Sequence, residues 1–548
     1  MRDGGSVWRR YPALAYLVGA GLLAVLLPSA LTLPQGGPET LAEYAPVTGD
    51  GDGAGDMSGL GQAGSGGLGF GSAGRVSRGD LEDLATGASG GTQRKPGTKR
   101  CVGQPPQQTE DPMSPPCSAF FEGSNPGATA KGVTAEEVQV LVQYEKAASD
   151  QKNQPVDCAG DVRDDDDHLD RLCRAYMRFF NDRYQTYDRR VRLWSGHGDI
   201  GKQWADIDAK IKPFAKAGVG YTSEALETGT MAVAFQGAPR TSYRRRSPGS
   251  ISFRQDLDDQ SQLAATYICL RLAGGKARYA GDPTMHDDPR RFGLWAAQRN
   301  QIETTMLMAA LKERCGIEPY ALYDWQDATG AAQMQREGVT SVIVHLSDTS
   351  VATVTQAASR QGWFPEWIVP GSNRLLGLDT NFLARTFPVQ AQWANAIGLT
   401  FDLRRAEISD QPWHRAYREG CPDCPPLTGT QTYAAIQGYE SMAMLFYGIQ
   451  AAGPRLTYHN LVRGLEAIPP RQSTNPYAPA AYFAPGNSSY LKDAAAIWWD
   501  PSGQPPGSAA KGCWRLPQDG RRYRAGEWPE GDSLVKAPGP CQGEVTPG

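Results

Sequence analysis

Over residues 292–371 the chain repeats one physical unit. FGLWAA, PYALYD, SVIVHL and EWIVPG are short apolar runs rich in β-branched and aromatic residues, and each gap between them carries a helical pattern. Strands apolar on both faces must be covered on both, and strands separated by a helix return parallel through right-handed crossovers. A parallel sheet with helices on both faces follows. An earlier run of the same kind covers 138–254, with a buried strand at 138–142 and the pieces RVRLW (190–194), PFAKA (213–217) and MAVAFQG (231–237). Two sheets are therefore expected, as the length of 548 residues also requires, since a single core rarely grows that large.

The strand ends carry the functional reading. SVIVHL breaks abruptly into Ser347, Asp348 and Thr349 just where a helical pattern begins. In an open parallel sheet ligands bind beyond the carboxyl ends, where loops diverge and helix N-termini present unpaired N–H groups. Gln236, Gly237 and Ala238, Gln298, Ser347 with Asp348, and Ser372 with Asn373 occupy such positions. Helix capping or turn chemistry would place the same residue types at any one of them. Their convergence on one end of the sheets makes them ligand-binding candidates.

Other classes of function find little support. Lys plus Arg number 55 against 59 Asp plus Glu, a net charge of −4, so there is no basic footprint for nucleic acid. No Walker loop, strand-linked GxGxxG, HExxH or local Ser, His and acid signature occurs, and no catalytic residue, cofactor or metal site is expected. Asp164 to Asp167 before His168 lack calcium-loop spacing and read as a solvated acidic loop assisting the next helix. That helix places Leu169, Leu172, Tyr176, Phe179, Phe180 and Tyr184 on one face. Arg240 with Arg244, Arg245 and Arg246 reads as a solvated face, with attraction of an anionic ligand as the sharper alternative.

Export is written at the N-terminus. Arg2, Arg9 and Arg10 precede an apolar stretch, 13–33, without a charged residue and long enough to span ~30 Å of hydrocarbon, as signal peptide or uncleaved anchor. Residues 49–97 contain 17 glycines and a single aromatic, a composition that cannot offset its ordering entropy and suits a tether. Ten cysteines fit an oxidising compartment, with local pairings expected as Cys101–Cys117, Cys158–Cys173, Cys269–Cys315 and Cys513–Cys541, and CPDC (421–424) as a structural disulfide.

GVTAEEVQVLV, RFFNDRYQTYDRRVRL, RRFGLWAAQ, the run GVTSVIVHLSDTSVATVTQAASRQGWFPEW, QWANAIG and YGIQAAGPRLTYHNLVRGL form an ordered set. In this order they resemble the type I periplasmic binding proteins of ABC importers, branched-chain amino acid class, specifically large actinobacterial members. The resemblance implies an α/β fold of two doubly wound parallel-sheet lobes joined by a hinge: signal or anchor 1–40, linker 41–130, lobe 1 from 131–255 plus 398–460, lobe 2 from 256–397 plus 461–530, and a tail 531–548. It implies a non-enzymatic, extracytoplasmic protein that closes over a small polar or amphiphilic solute for an ABC-type permease, or a membrane-anchored sensor of the same fold. In amino-acid binders the loop after the strand matching PFAKA holds the ligand's carboxylate, which brings Thr222 and Ser223 into the candidate set. The loop aligns poorly here, leaving an amino-acid ligand open.

Overall fold

The apolar runs form strands, and the strands assemble into two sheets. The computed structural model describes residues 101–543 except 103–106, 109–112, 120, 145–153, 164, 198, 219–222, 235–236, 238–239, 241–248, 299–300, 324–328, 347, 372–389, 406, 429 and 471–477. The stretches 13–33 and 49–97 lie outside the described residues, among which no helix is long and apolar enough to cross a membrane.

In chain order, β1 (Cys101–Val102) and β2 (Gln107–Gln108) form a small antiparallel pair. The first sheet is built from β3 (Glu137–Gln143), β4 (Val156–Asp157), α1 (His168–Arg183), β5 (Arg190–Gly196), α2 (Ile200–Ile211), β6 (Ala215–Gly218), α3 (Ser223–Glu227), β7 (Met231–Ala234) and β8 (Ser250–Ser252). The chain then crosses into α4 (Leu257–Tyr267), which runs on through a π-helical turn, Ile268–Leu272. The second sheet follows with β9 (Phe292–Ala296), α5 (Ile302–Cys315), β10 (Tyr320–Leu322), α6 (Gly330–Arg336), β11 (Ser341–His345), α7 (Asp348–Arg360), β12 (Glu366–Val369), α8 (Gln390–Trp393) and β13 (Ala396–Thr400). Helices α9 (Pro412–Gly420), α10 (Thr430–Ala452) and α11 (Tyr458–Ala467) return to the first sheet, and β14 (Asp493–Asp500), β15 (Cys513–Arg515) and β16 (Arg522–Arg524) complete the second.

Both sheets are wound alike. The first has the order β4-β5-β3-β6-β7-β8, parallel except for β4; the second runs β10-β9-β11-β12-β13, all parallel, and continues with antiparallel β14. Taken by order of appearance, the five parallel strands of each read 2-1-3-4-5, so the winding reverses between β3 and β6 and again between β9 and β11. The protein is mixed α/β with parallel-dominated sheets.

Packing follows the periodicity. All six apolar residues expected on one face of α1 are buried, with Phe180 stacked on Phe446 of α10 at 5.1 Å between ring centroids. Leu461 and Leu465 of α11, with Phe483 and Tyr490, also join the first sheet's core, so that core extends past residue 460. One face of the second sheet packs on α4 and α5; the other buries Trp295, Trp363, Trp367, Trp393, Trp499 and Trp514.

Two local expectations are corrected. From the sequence, CWRLP (513–517) joined to RRYRAGEW (521–528) suggests a hairpin of two strand-like pieces, whereas β15 and β16 lie end to end along β14, pairing with its last and first three residues. Left-handed Gln518 and Asp519 break the connection between them. The acidic loop is only partly solvated: Asp167 does cap α1, accepting from Leu169 N and Asp170 N at 2.9 Å, but Asp166 is buried against Arg174, with Nε to Oδ2 at 2.7 Å. Arg174 supplies the cation that the sequence reading lacked. Disulfides join Cys158–Cys173, Cys269–Cys315, Cys421–Cys424 and Cys513–Cys541. Cys117 is also disulfide-bonded, while the side chain of Cys101, its expected partner, is outside those described.

At the amino ends of the second sheet's strands, Arg290 and Glu366 form a fully buried fork, Nε to Oε2 at 2.8 Å and Nη2 to Oε1 at 3.0 Å. Asp532 of the C-terminal segment joins Arg290 at 3.0 Å and Ser341 Oγ donates to Glu366 at 2.6 Å. Removing Glu366 takes away the two-pronged partner of a guanidinium withdrawn from water and leaves it the single-pronged contact with Asp532. Glu366→Gln should lower the unfolding free energy by about 3–5 kcal/mol, read from the urea midpoint, and Arg290→Met combined with Glu366→Leu should recover part of that loss.

Candidate functional site

Three passages of chain join the sheets, and all of them run at strand carboxyl ends. Residues 253–256 leave β8 for α4, 401–405 leave β13, and 488–492 lead into β14, whose start adjoins the end of β13 because the two are antiparallel, with Thr400 opposite Ala495. The first and third passages lie side by side: Ser252 N donates to Ser488 O at 2.8 Å, Tyr490 N to Ser252 O at 3.0 Å and Leu491 N to Phe253 O at 3.1 Å. The carboxyl edges of the two sheets therefore meet at β8 and β13.

Side chains bind these passages together. Arg254 donates to both oxygens of Glu440 on α10, at 2.7 and 3.0 Å, and to Asp402 of the second passage. Burial alone would lower the guanidinium's pKa, but Glu440 and Asp402 outweigh it and hold it above its ordinary value. Arg522 of β16 donates to Asp493 Oδ1 and to Asp402 O, both at 2.8 Å, and Gln255 Nε2 donates to Asp493 O at 2.7 Å.

A second cluster surrounds the start of α4. Asp256 caps the helix through Asp259 N, and Arg240, from the β7–β8 connection, donates through Nε to Asp256 at 3.0 Å, through its backbone N to Asp258 at 2.8 Å, and through Nη2 to Asp259. Asp259 also accepts from Lys492 Nζ at 3.0 Å and Ser489 Oγ at 2.9 Å. Burial and then the neighbouring Asp259 raise the pKa of Asp256; burial acts likewise on Asp259, but Lys492 and Arg240 outweigh it and bring it down. Arg240 is thus neither a solvated surface charge nor unpaired bait for an anion, because the first turn of α4 meets it with carboxylates. Arg244, Arg245 and Arg246 lie outside the described residues.

Of the ten candidate residues, Thr222, Gln236, Ala238, Ser347, Ser372 and Asn373 lie outside the described residues. Ser223 opens α3 beyond β6, and Asp348 opens α7 beyond β11. Gln298 is exposed two residues past β9. Gly237 is buried, and a Cβ there would stand 2.7 Å from Asp256 Cα and 2.8 Å from Ser252 Oγ, so its smallness brings the β7 connection against the first passage.

Other strand-end residues emerge that the sequence reading passed over. Gln143 Oε1 and Tyr144 Oη at the end of β3, and His345 Nε2 at the end of β11, are buried with no hydrogen-bond partner among the described residues. Each such desolvated atom costs about 1–3 kcal/mol. All three lie on strands flanking the winding reversals. Lys216 on β6 is buried as well, which pulls its pKa down to about 7. Their signal was available: a polar residue inside or closing a short apolar run. Ile302, the first residue of α5, is the exposed large hydrophobic side chain among the described residues. Nearby, Leu257, Gln260, Ser261, Ala264, Glu303, Leu307 and Pro370 line a dimple of about 10 Å³, room for roughly one water and far below the ~300 Å³ at which ligand pockets begin.

One further polar cluster bears on chemistry. Ser195 Oγ and Asp170 Oδ1 lie 3.2 and 2.8 Å from His197, both at Nε2, so the imidazole cannot relay a proton from serine to aspartate through its two nitrogens. Asp167, Asp170 and His197 bring ligand-type atoms within 4.8 Å of one another, but Asp167 serves as the α1 cap and Asp170 bonds His197.

The chain matches no protein-family model and no curated protein. It is similar to solved structures: a fatty acid ABC transporter substrate-binding protein from Thermomonospora curvata (13% identity, 76% of this chain and 99% of that one, TM-score 0.47), an ABC transporter substrate-binding protein from Aeropyrum pernix (12%, 73% and 97%, 0.46) and a periplasmic binding protein type 1 from Bordetella pertussis Tohama I (14%, 69% and 98%, 0.45).

His345 gives a pH test. Its Nδ1 lies 2.6 Å from Thr304 Oγ1, and burial pulls its pKa from 6.5 down to about 4. Between those values the unfolded chain holds a proton that the folded protein refuses, so stability rises with pH there and is lost as pH falls. Wild-type protein should lose roughly 3 kcal/mol more than His345→Gln between pH 7.5 and 4, measured by urea denaturation.

Proposed function

We propose that the chain is an extracytoplasmic solute-binding protein whose two lobes close over a small polar or amphiphilic molecule and present it to an ABC-type permease. One lobe is the first sheet with α1–α3 and α9–α11; the other is the second sheet with α4–α8 and β14–β16. The observation that carries this reading is the meeting of both sheets' carboxyl edges at three crossing passages, which sets two winding reversals, the usual ligand positions of such sheets, beside a common hinge. The uncompensated polar atoms of Gln143, Tyr144 and His345, with exposed Ile302, support a ligand that is polar in one part and apolar in another. Candidates Thr222, Ser223, Gln236, Gly237, Ala238, Gln298, Ser347, Asp348, Ser372 and Asn373 surround the same edges by their sequence positions.

Closure needs a solute that prefers one arrangement: a difference of ~5.5 kcal/mol moves the closed state from about 1% to about 99%. Native mass spectrometry of protein purified from its own host should detect a retained small molecule, and small-angle scattering should record compaction when that molecule is returned to stripped protein. Absence of both a retained mass and compaction with any solute pool would overturn the reading.

A further inference from the structure

Arg240 belongs to the connection between β7 and β8 of the first sheet, whereas Asp258 and Asp259 lie in the first turn of α4, whose Leu263 and Ala264 are part of the second sheet's core. Its contacts with Asp256, Asp258 and Asp259 therefore span the two halves. Arg254 lies within the passage itself and ties one crossing to the next. Arg240 instead reaches from a strand-end connection, beside candidate residues Gln236 to Ala238, to the carboxylates beyond. Gly237 makes that reach possible, since any side chain there would push the connection off Asp256.

We propose that Arg240 is an electrostatic strap between the halves, whose release and re-formation set the balance between their arrangements and thereby the solute affinity of the cleft. The proposal rests on the two-lobe binding reading for its effect on affinity, though not for the strap itself. The Arg240 side chain is 30% exposed and that of Asp259 19%, so the contact is open to salt, unlike the fully buried Arg290–Glu366 fork. Lys492 keeps Asp259 partly neutralised when the strap lets go, so opening does not leave that carboxylate bare.

Förster transfer between dyes clicked onto noncanonical residues at Lys210 of α2 and Glu313 of α5, both exposed, reads the separation of the halves without any ligand. Full-length wild-type protein at about 0.1 M KCl should give one dominant distance. Arg240→Gln should lower that population roughly fivefold or more in favour of longer distances, and Gly237→Val should do the same without altering charge. Arg240→Lys should restore part of it, and raising KCl to about 1 M should move wild type toward Arg240→Gln while leaving the variant unchanged. Identical distributions for wild type and Arg240→Gln at both salt levels would overturn the strap. If the variants fail to fold, a wild-type distribution unmoved by salt overturns it equally. Variants that shift while no solute moves any of the proteins would leave the strap standing and remove the binding reading; solute-driven closure that Arg240→Gln does not alter would do the reverse.

Discussion

Arg254 is a guanidinium withdrawn from water, and the joint between the two sheets is built around supplying it with carboxylates. Its partners come from sequence-distant places, Asp402 from the second passage and Glu440 from α10, so the ion cluster can form only when the chain has crossed twice and returned. Backbone groups in the passages face the same need, because chain leaving one sheet for another loses its ladder partners. Arg522 and Gln255 meet part of that need, donating to the carbonyls of Phe401, Asp402 and Asp493. Side-chain hydrogen bonds tolerate rotation better than a sheet ladder does, which is what the proposed closure would ask of this joint.

The identical winding of the two sheets gives this joint its meaning. A 2-1-3-4-5 order leaves one gap per sheet where connections depart in opposite directions, and in each sheet that gap opens at the carboxyl ends of the strands, the ends at which the two sheets are joined. The last strands do different work. Antiparallel β14 seals the second sheet beside β13, and β15 and β16 together cover its outer edge, which would otherwise offer unpaired N–H and C=O groups to another chain.

Much of the architecture was legible because it is local. Runs such as SVIVHL and EWIVPG carry their burial in their composition, and the aromatic face of α1 declares itself at helical spacing. Charge pairing was not legible. Asp166 looked solvated until Arg174 came up beneath it from the next helix, and Arg240 looked like one of four surface arginines until α4 folded its acidic first turn against it. Arg254 and Glu440 stand 186 residues apart, and nothing in either neighbourhood names the other. Gly237 was singled out for its place at a strand end, and what its sequence position did not tell is that it also serves close approach of the backbone to Asp256 and Ser252. His345 was in plain view, yet its apolar neighbours disguised it as one more buried strand residue.

The disulfide between Cys269 and Cys315 sits at the far end of the helix pair whose near end receives the crossing chain. Fastened there, α4 and α5 cannot slide past one another. On the proposed two-lobe reading, a push arriving at Asp256 would be passed on as rotation of both rods with the sheet beneath them, the half they cover turning as a single body instead of shearing along its own seam.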